Sequence, residues 1–195
     1  DTGKIDPSAE QYLRMAETSI DRLDSTIQDI LEYSRNSRLD VMPEWFDVKV
    51  LVSQIFEDIQ FISENPIRFD IEIEGDTQVC IDKSRIATVI KNLASNAAKY
   101  RKLNSSDCFV RFRMWRDGNR ICMEISDNGI GIPEQDRKRI SERFVRGSNA
   151  VKMHPDGSGL GLYIARGIIE RAGGSFEIQS WLGKGSIITF TLPLA

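Results

Sequence analysis

The sequence predicts an α/β sandwich, helices layered on a mixed, largely antiparallel sheet, with a coiled-coil-like helix in front of it. Three observations lead there. Apolar residues recur at heptad spacing near the N-terminus, and two β-patterned stretches fold back on Asp117-Gly118-Asn119 and on Gly183-Lys184-Gly185. Helical and hairpin patterns are also intermixed without the strict strand-helix alternation of a parallel sheet.

From Ser8 to Asn36 there is no Gly or Pro, and Leu13, Ala16, Ile20, Leu23, Ile27, Ile30 and Ser34 repeat at alternating three and four. Tyr12, Met15 and Leu31 widen that stripe, which suits a four-helix bundle better than a two-stranded seam. Such a helix cannot bury its seam alone. Residues 37–46, with Ser37 and Pro43, read as a linker, so the expected units are 1–36, 37–46 and 47–195. Asp47 is a good N-cap for a helix whose Val48, Leu51, Val52, Ile55, Ile59 and Ile62 share one face. Alternation at Phe69, Ile71 and Ile73 predicts a strand, followed by a short one at Val79 to Ile81. From Asp82 a helix buries Ile86, Val89, Ile90, Leu93 and Ala97. The first hairpin joins Phe109–Arg116 to Arg120–Ser126. Between Pro133 and Gly161 the chain is polar and punctuated by Gly and Pro, with a short helix expected near Glu134 to Phe144; a loop this long points to a functional lid. A helix over Leu160–Ala172 stops at Gly173-Gly174, and Phe176–Trp181 pairs with Ser186–Leu192 to close the chain.

Composition narrows the function. The 195 residues carry a net charge of −3 with Lys and Arg dispersed among Asp and Glu, so no basic stripe exists to track nucleic acid. Cys80, Cys108 and Cys122 form no CxxC pair, which points to reduced thiols and a cytoplasmic setting. No apolar run reaches the roughly 20 residues that span a bilayer, so no membrane contact is expected from this segment.

Three clusters carry chemistry. Asn92, Asn96 and Lys99 stand at i, i+4 and i+7 of the third helix and share a face. An Asn oxygen is a hard ligand suited to Mg²⁺ and a lysine pairs with phosphate, although in isolation these residues would also suit a solvated helix face. Asp127-Asn128-Gly129-Ile130-Gly131-Ile132-Pro133 follows a strand directly. A carboxylate there can accept from an exocyclic amine such as that of adenine, and glycines let a flat ring approach; an ordinary Asn-Gly turn is the simpler reading. Gly157-Ser158-Gly159-Leu160-Gly161-Leu162 opens a helix, where freed backbone N–H groups at its positive end can cradle phosphate or merely form a hinge. Its spacing is neither the dinucleotide fingerprint nor a P-loop.

Taken in order, these segments resemble the sensor histidine kinases of the GHKL ATPase/kinase superfamily. Asn92 to Tyr100 looks like the N box and Asp127 to Pro133 like the G1 box. Glu142-Arg143-Phe144-Val145-Arg146-Gly147 resembles the F box, Gly157 to Leu162 the G2 box, and Gly183-Lys184-Gly185-Ser186 the closing segment. The likeness runs from Asp47 to Leu194, and the helix before it is similar to the second helix of the family's dimerisation and phosphotransfer hairpin.

The resemblance implies a Bergerat-type ATP-binding fold, with ATP and Mg²⁺ as cofactors. Asn96 would coordinate Mg²⁺, Asn92 would support that site, and Lys99 would pair with phosphate oxygens. Tyr100 would line the pocket, Asp127 would hold the adenine amine, and Gly129 and Gly131 would keep the wall thin. Phe144 would anchor an ATP lid from Pro133 to Gly157, with Arg146 reaching the terminal phosphates. Gly157, Gly159 and Gly161, with Leu160 between them, would wrap the phosphates. The implied catalytic residues are Asn92, Lys99 and Arg146. In the superfamily's ATP-hydrolysing branch a Glu stands at the position of Asn92, and an amide cannot activate water, which favours phosphotransfer over hydrolysis. The implied partners are a histidine-bearing first helix of the hairpin, a response regulator receiver domain, and a second copy in a homodimer. His154, the only histidine, precedes Pro155 in the lid and is not expected to be the phosphoacceptor. Two other readings are a nucleotide-gated interaction module without turnover and a serine-directed kinase of the same superfamily.

Overall fold

Alternating side chains build the sheet. Val110, Phe112 and Met114 of β4 (Phe109–Asp117), Ile121, Met123 and Ile125 of β5 (Arg120–Asp127), and Ile188, Phe190 and Leu192 of β7 (Gly185–Pro193) all point into one core. The other face is polar, carrying a ladder of ion pairs that links Asp70 and Glu72 to Arg111 and Arg113. With β2 (Arg68–Ile73) and β6 (Ser175–Trp181) the strands lie in the order β2-β4-β5-β7-β6. Only β2 and β4 are parallel; every other pairing is antiparallel, so the mixed sheet expected from the sequence is the one formed.

A computed structural model of the chain describes residues 41–63, 66–102, 105, 107–154 and 157–194. It also describes Ala9, Tyr12, Leu13, Met15, Ala16, Ser19, Ile20, Leu23, Asp24, Ile27 and Leu31, all of them helical. Ile30, Ser34 and the expected boundary between 36 and 37 lie outside the described residues, as do Pro155 and Asp156 of the lid. Leu13, Ile20, Leu23 and Ile27 of the seam are all exposed.

Three helices cover the apolar face of the sheet. Asp47 caps α1 (Val48–Ile62) through Val50 N–H at 3.1 Å, and takes a second bond of 2.7 Å from Thr77 Oγ1. Asp82 caps α2 (Lys83–Lys99), accepting from Arg85 N–H and, across the chain, from Met42 N–H, both at 3.1 Å. In α2 the buried face comprises Ile86, Val89, Ile90, Leu93 and Ala97, as the periodicity predicts, plus Ala94 and Ala98. The third, α5 (Gly161–Arg171), packs on α2 and buries Ile164, Ala165, Ile168 and Ile169; it ends at Gly173, whose φ of 73° is left-handed, and Gly174 N–H returns to Ile169 O.

Two expectations need correction. Glu44, Trp45 and Phe46, read as linker, belong to a strand, β1 (Glu44–Asp47), paired antiparallel with β3 (Gln78–Ile81) in a separate ladder that buries Phe46. Its partner lies far along the chain, so no local alternation announces it. The helix expected near Glu134 to Phe144 is confined to α3 (Glu134–Arg137), and a second short helix, α4 (Ser148–Met153), occupies the middle of the segment. Both are too short for periodicity to register.

Candidate functional site

At the end of β5 the carboxyl of Asp127 is drawn below the surface. Burial pushes its pKa up to about 6, opposed by hydrogen bonds from the Gly129 and Ser186 backbone N–H groups and by the charge of Lys102. The Gly129 bond is 2.7 Å long. A Cβ at position 129 would stand 2.5 Å from the Tyr100 carbonyl oxygen, so only glycine lets the turn lie against the C-terminus of α2. Ile130 N–H then donates to that same carbonyl at 3.0 Å. Gly131 has φ 65°, and a Cβ there would overlap the Trp181 carbonyl. The turn after β5 is thus fastened to α2 on one side and to the β6–β7 hairpin on the other.

Further up α2, Asn92 gives its Nδ2 to Thr88 O at 3.0 Å, and its Oδ1 faces the first turn of α5. A Cβ on Gly161 would come within 2.9 Å of that Oδ1 and 3.5 Å of Asn96 Nδ2. Glycine at 161 therefore brings the start of α5 against both amides. Among the described residues no side-chain cap bond is made at Leu160, and the positive end of α5 faces the cavity at Gly161. Gly157 lies beside the Arg146 guanidinium, and Gly159, at φ 74°, lies against the Phe144 backbone.

Between α3 and α5 the described residues are tied to one another and to the turn after β5. Asp136 Oδ2 accepts from Ser148 N–H at 2.8 Å and Ser148 Oγ at 2.9 Å, joining α3 to the start of α4. Asn149 Nδ2 reaches the Gly131 carbonyl at 2.8 Å. Arg146 donates to the carbonyls of Ala150 and His154. His154 Nε2 meets the Lys99 carbonyl at 2.9 Å, and its ring stands edge-on to Tyr100. Behind the lid, the Arg143 guanidinium lies 4.9 Å above the Tyr163 ring, and Arg166 donates to Ser141 Oγ at 2.8 Å.

These elements enclose a cavity of about 440 Å³, within the range of small-molecule sites. It brings together Asn92, Asn96, Lys99, Tyr100, Asp127, Gly131, Arg146, Gly157, Gly159 and Gly161. Three residues expected there do not line it. Gly129 is packed on the Tyr100 carbonyl; Leu160 points into the core; and Phe144, expected to anchor the lid, is 62% exposed with a left-handed φ of 62°. Ile140, by contrast, is buried and lines the cavity. Ser186, Ile125, Ile188 and Asn149 line it as well and escaped the sequence reading. The two isoleucines read as ordinary strand core, and Ser186 as the start of the last strand within the closing segment. Its place directly after Gly183-Lys184-Gly185 was the available signal.

Among the described residues no three His, Cys, Asp or Glu side chains cluster to hold a metal, so a cation here would rest on amide oxygen and ligand phosphate. Among the same residues no helix is long and apolar enough to cross a membrane.

Comparison with known proteins agrees with this geometry. The family model described as histidine kinase-, DNA gyrase B-, and HSP90-like ATPase matches residues 81–195. The chain is 29% identical to the circadian input-output histidine kinase CikA of Synechococcus elongatus, over 98% of this chain and 26% of that protein. It is 30% identical to the sensor histidine kinase WalK of Bacillus subtilis, over 95% of this chain and 31% of that protein. It thus spans about a quarter to a third of these relatives' length. Among solved structures, full-length ShkA in complex with AMPPNP superposes with a TM-score of 0.75 at 26% identity, over 99% of this chain and 40% of that one.

Proposed function

We propose, from the premise that this chain belongs to the histidine kinase-, DNA gyrase B- and HSP90-like ATPase family, that it is the ATP-holding catalytic portion of a protein-histidine kinase. In this reading it delivers the ATP γ-phosphate to a histidine on a dimerisation hairpin. One observation carries the choice of transfer over hydrolysis: Asp127 is the single carboxylate among the described residues lining the cavity. It sits by Tyr100 and Gly129, whereas the α5 N-terminus is met by Asn92, two helical turns and about 12 Å away along α2. An amide has no basic site to take a proton from water. ATP bound with its base at Asp127 and its phosphates at α5 is therefore kept intact until an external imidazole arrives.

The residues divide the work. Asp127 accepts from the amino group of adenine, and the Tyr100 and Ile130 side of the cavity walls the ring. The positive end of α5 at Gly161 and the charges of Lys99 and Arg146 stabilise the phosphates as negative charge shifts to the leaving ADP oxygen. Asn96, supported by Asn92, would hold Mg²⁺ through its amide oxygen, and the ion would supply positive charge against the phosphates. Arg146 reaches the terminal phosphate by exchanging the carbonyls of Ala150 and His154. The imidazole nitrogen forms the new P–N bond as the P–O bond to ADP breaks.

The histidine comes from the first helix of the hairpin, whose second helix is residues 1–36 of this chain. The phosphate then passes to an aspartate of a response regulator receiver domain, and the parent protein works as a homodimer with this portion in the cytoplasm. The test mixes the chain, labelled ATP and a separate hairpin bearing the histidine. Acid-labile phosphate on the hairpin is expected; its absence, with nucleotide binding confirmed, overturns the kinase reading.

A further inference from the structure

The turn that carries Asp127 is held by a hydroxyl that no motif singled out. Ser180, on β6, is 1% exposed, and its Oγ has three neighbours. Ile132 N–H donates to it at 2.8 Å, it donates to the Gly185 carbonyl at 3.1 Å, and Ser186 Oγ lies 2.8 Å away. A hydroxyl has one proton and two lone pairs. With the proton spent on Gly185 O and one lone pair taken by Ile132, Ser180 can only accept from Ser186. The Ser186 proton is thereby committed inward, and the group that Ser186 turns to the cavity is a lone pair.

Ser186 and Asp127 are paired positions on β7 and β5, and both line the cavity. The base end therefore carries two acceptors side by side. A purine with an amino group at that edge has two N–H donors to offer them. A purine with a carbonyl there meets two lone pairs and leaves its own oxygen unsatisfied. We infer that Ser180 is a positioning residue for base selectivity: by orienting the Ser186 hydroxyl as an acceptor it favours a 6-amino over a 6-oxo purine nucleotide. This rests on the ATP-holding function proposed above and extends it from Asp127 to a residue behind the site.

The test compares binding of ATP and inosine triphosphate, which differ at that edge of the base, by calorimetry at pH 7.5 on the full chain. Ser180→Ala frees the Ser186 hydroxyl to turn its proton into the cavity, and the preference for ATP is expected to shrink by about tenfold. Ser180→Thr retains the hydroxyl and is expected to restore it. Because Ser180→Ala also strands Ile132 N–H and Gly185 O, a fold defect is guarded against with Ser186→Ala, which leaves both of those bonds in place and is expected to shrink the preference by a similar factor. Equal loss of both affinities in Ser180→Ala marks a purely structural role and overturns the inference, as does an unchanged preference in Ser186→Ala. Wild-type chain that binds ATP and inosine triphosphate equally also overturns it. Failure to bind either nucleotide refutes instead the ATP-holding function.

Discussion

Asp127 sets two opposite demands on one carboxyl. Its pKa, raised by burial to about 6 against an ordinary 3.8, means the native state keeps a proton that the unfolded chain gives up between those values. Stability therefore falls as pH rises through that window, by about 3 kcal/mol in all, and the loss is complete above pH 6. Denaturant midpoints at pH 4 and 7 should show this as a difference between wild type and Asp127→Asn, which cannot ionise. Binding runs the other way, because an ionised carboxylate accepts from the amino group of adenine more strongly than a protonated carboxyl does. ATP affinity of the wild type is expected to fall as pH drops through about 6 and to level off once Asp127 is protonated. In Asp127→Asn at pH 7.5 it should be lower by about 1–3 kcal/mol and flat with pH, as calorimetry would read. Unchanged affinity in that variant would remove Asp127 from base recognition.

The elements are joined through a few polar side chains at their ends. Asp82 is half of such a joint: burial would raise its pKa, but bonds from Arg85 N–H, Met42 N–H and Ser84 Oγ, with the Arg85 charge, together bring it below the ordinary value. It caps α2 and ties residue 42 to the domain, so Asp82→Ala should cost roughly 1–2 kcal/mol in urea unfolding. The lid is joined more lightly. His154 contributes one bond to the Lys99 carbonyl, and His154→Ala should speed release of a fluorescent nucleotide roughly fivefold, the kinetic equivalent of about 1 kcal/mol, with little change in melting temperature. These joints also mark where sequence reading stopped. Helices α1, α2 and α5 and both hairpins were legible because each repeats its apolar residues several times over. The β1–β3 ladder and α4 were not, since one depends on a distant partner and the other has barely more than a turn. Within the site, Asn92, Asn96, Asp127 and the phosphate-side glycines were legible as motif residues. Ser180 was not, and Ser186 was legible only as part of the closing segment, because their places at the site come from the pairing of β5, β6 and β7, not from neighbours in sequence.

At the scale of the whole molecule the chain divides by where its apolar surface goes. Among the described residues the buried core begins at Phe46 and runs to Leu192, and none before Phe46 contributes to it. Leu13, Ile20, Leu23, Ile27 and Leu31 are 45–63% exposed, a stripe that the domain does not cover. A helix with an unburied seam gains little from packing and is marginal alone, since helices in proteins draw most of their stability from the face they bury. Residues 1–40 should therefore add little to the domain, and their removal is expected to change its unfolding free energy by less than about 0.5 kcal/mol and leave ATP affinity unaltered. Removing residues up to 47 should behave differently. It takes away Phe46, the β1 ladder, Met42 at Asp82 and the Asp47 cap of α1, and is expected to cost more than about 3 kcal/mol. The contrast, read by urea unfolding of the two truncations, places the start of the folding unit near residue 41. A large loss on removing only 1–40 would show that the seam helix packs on the domain and would require a different account of its exposed stripe.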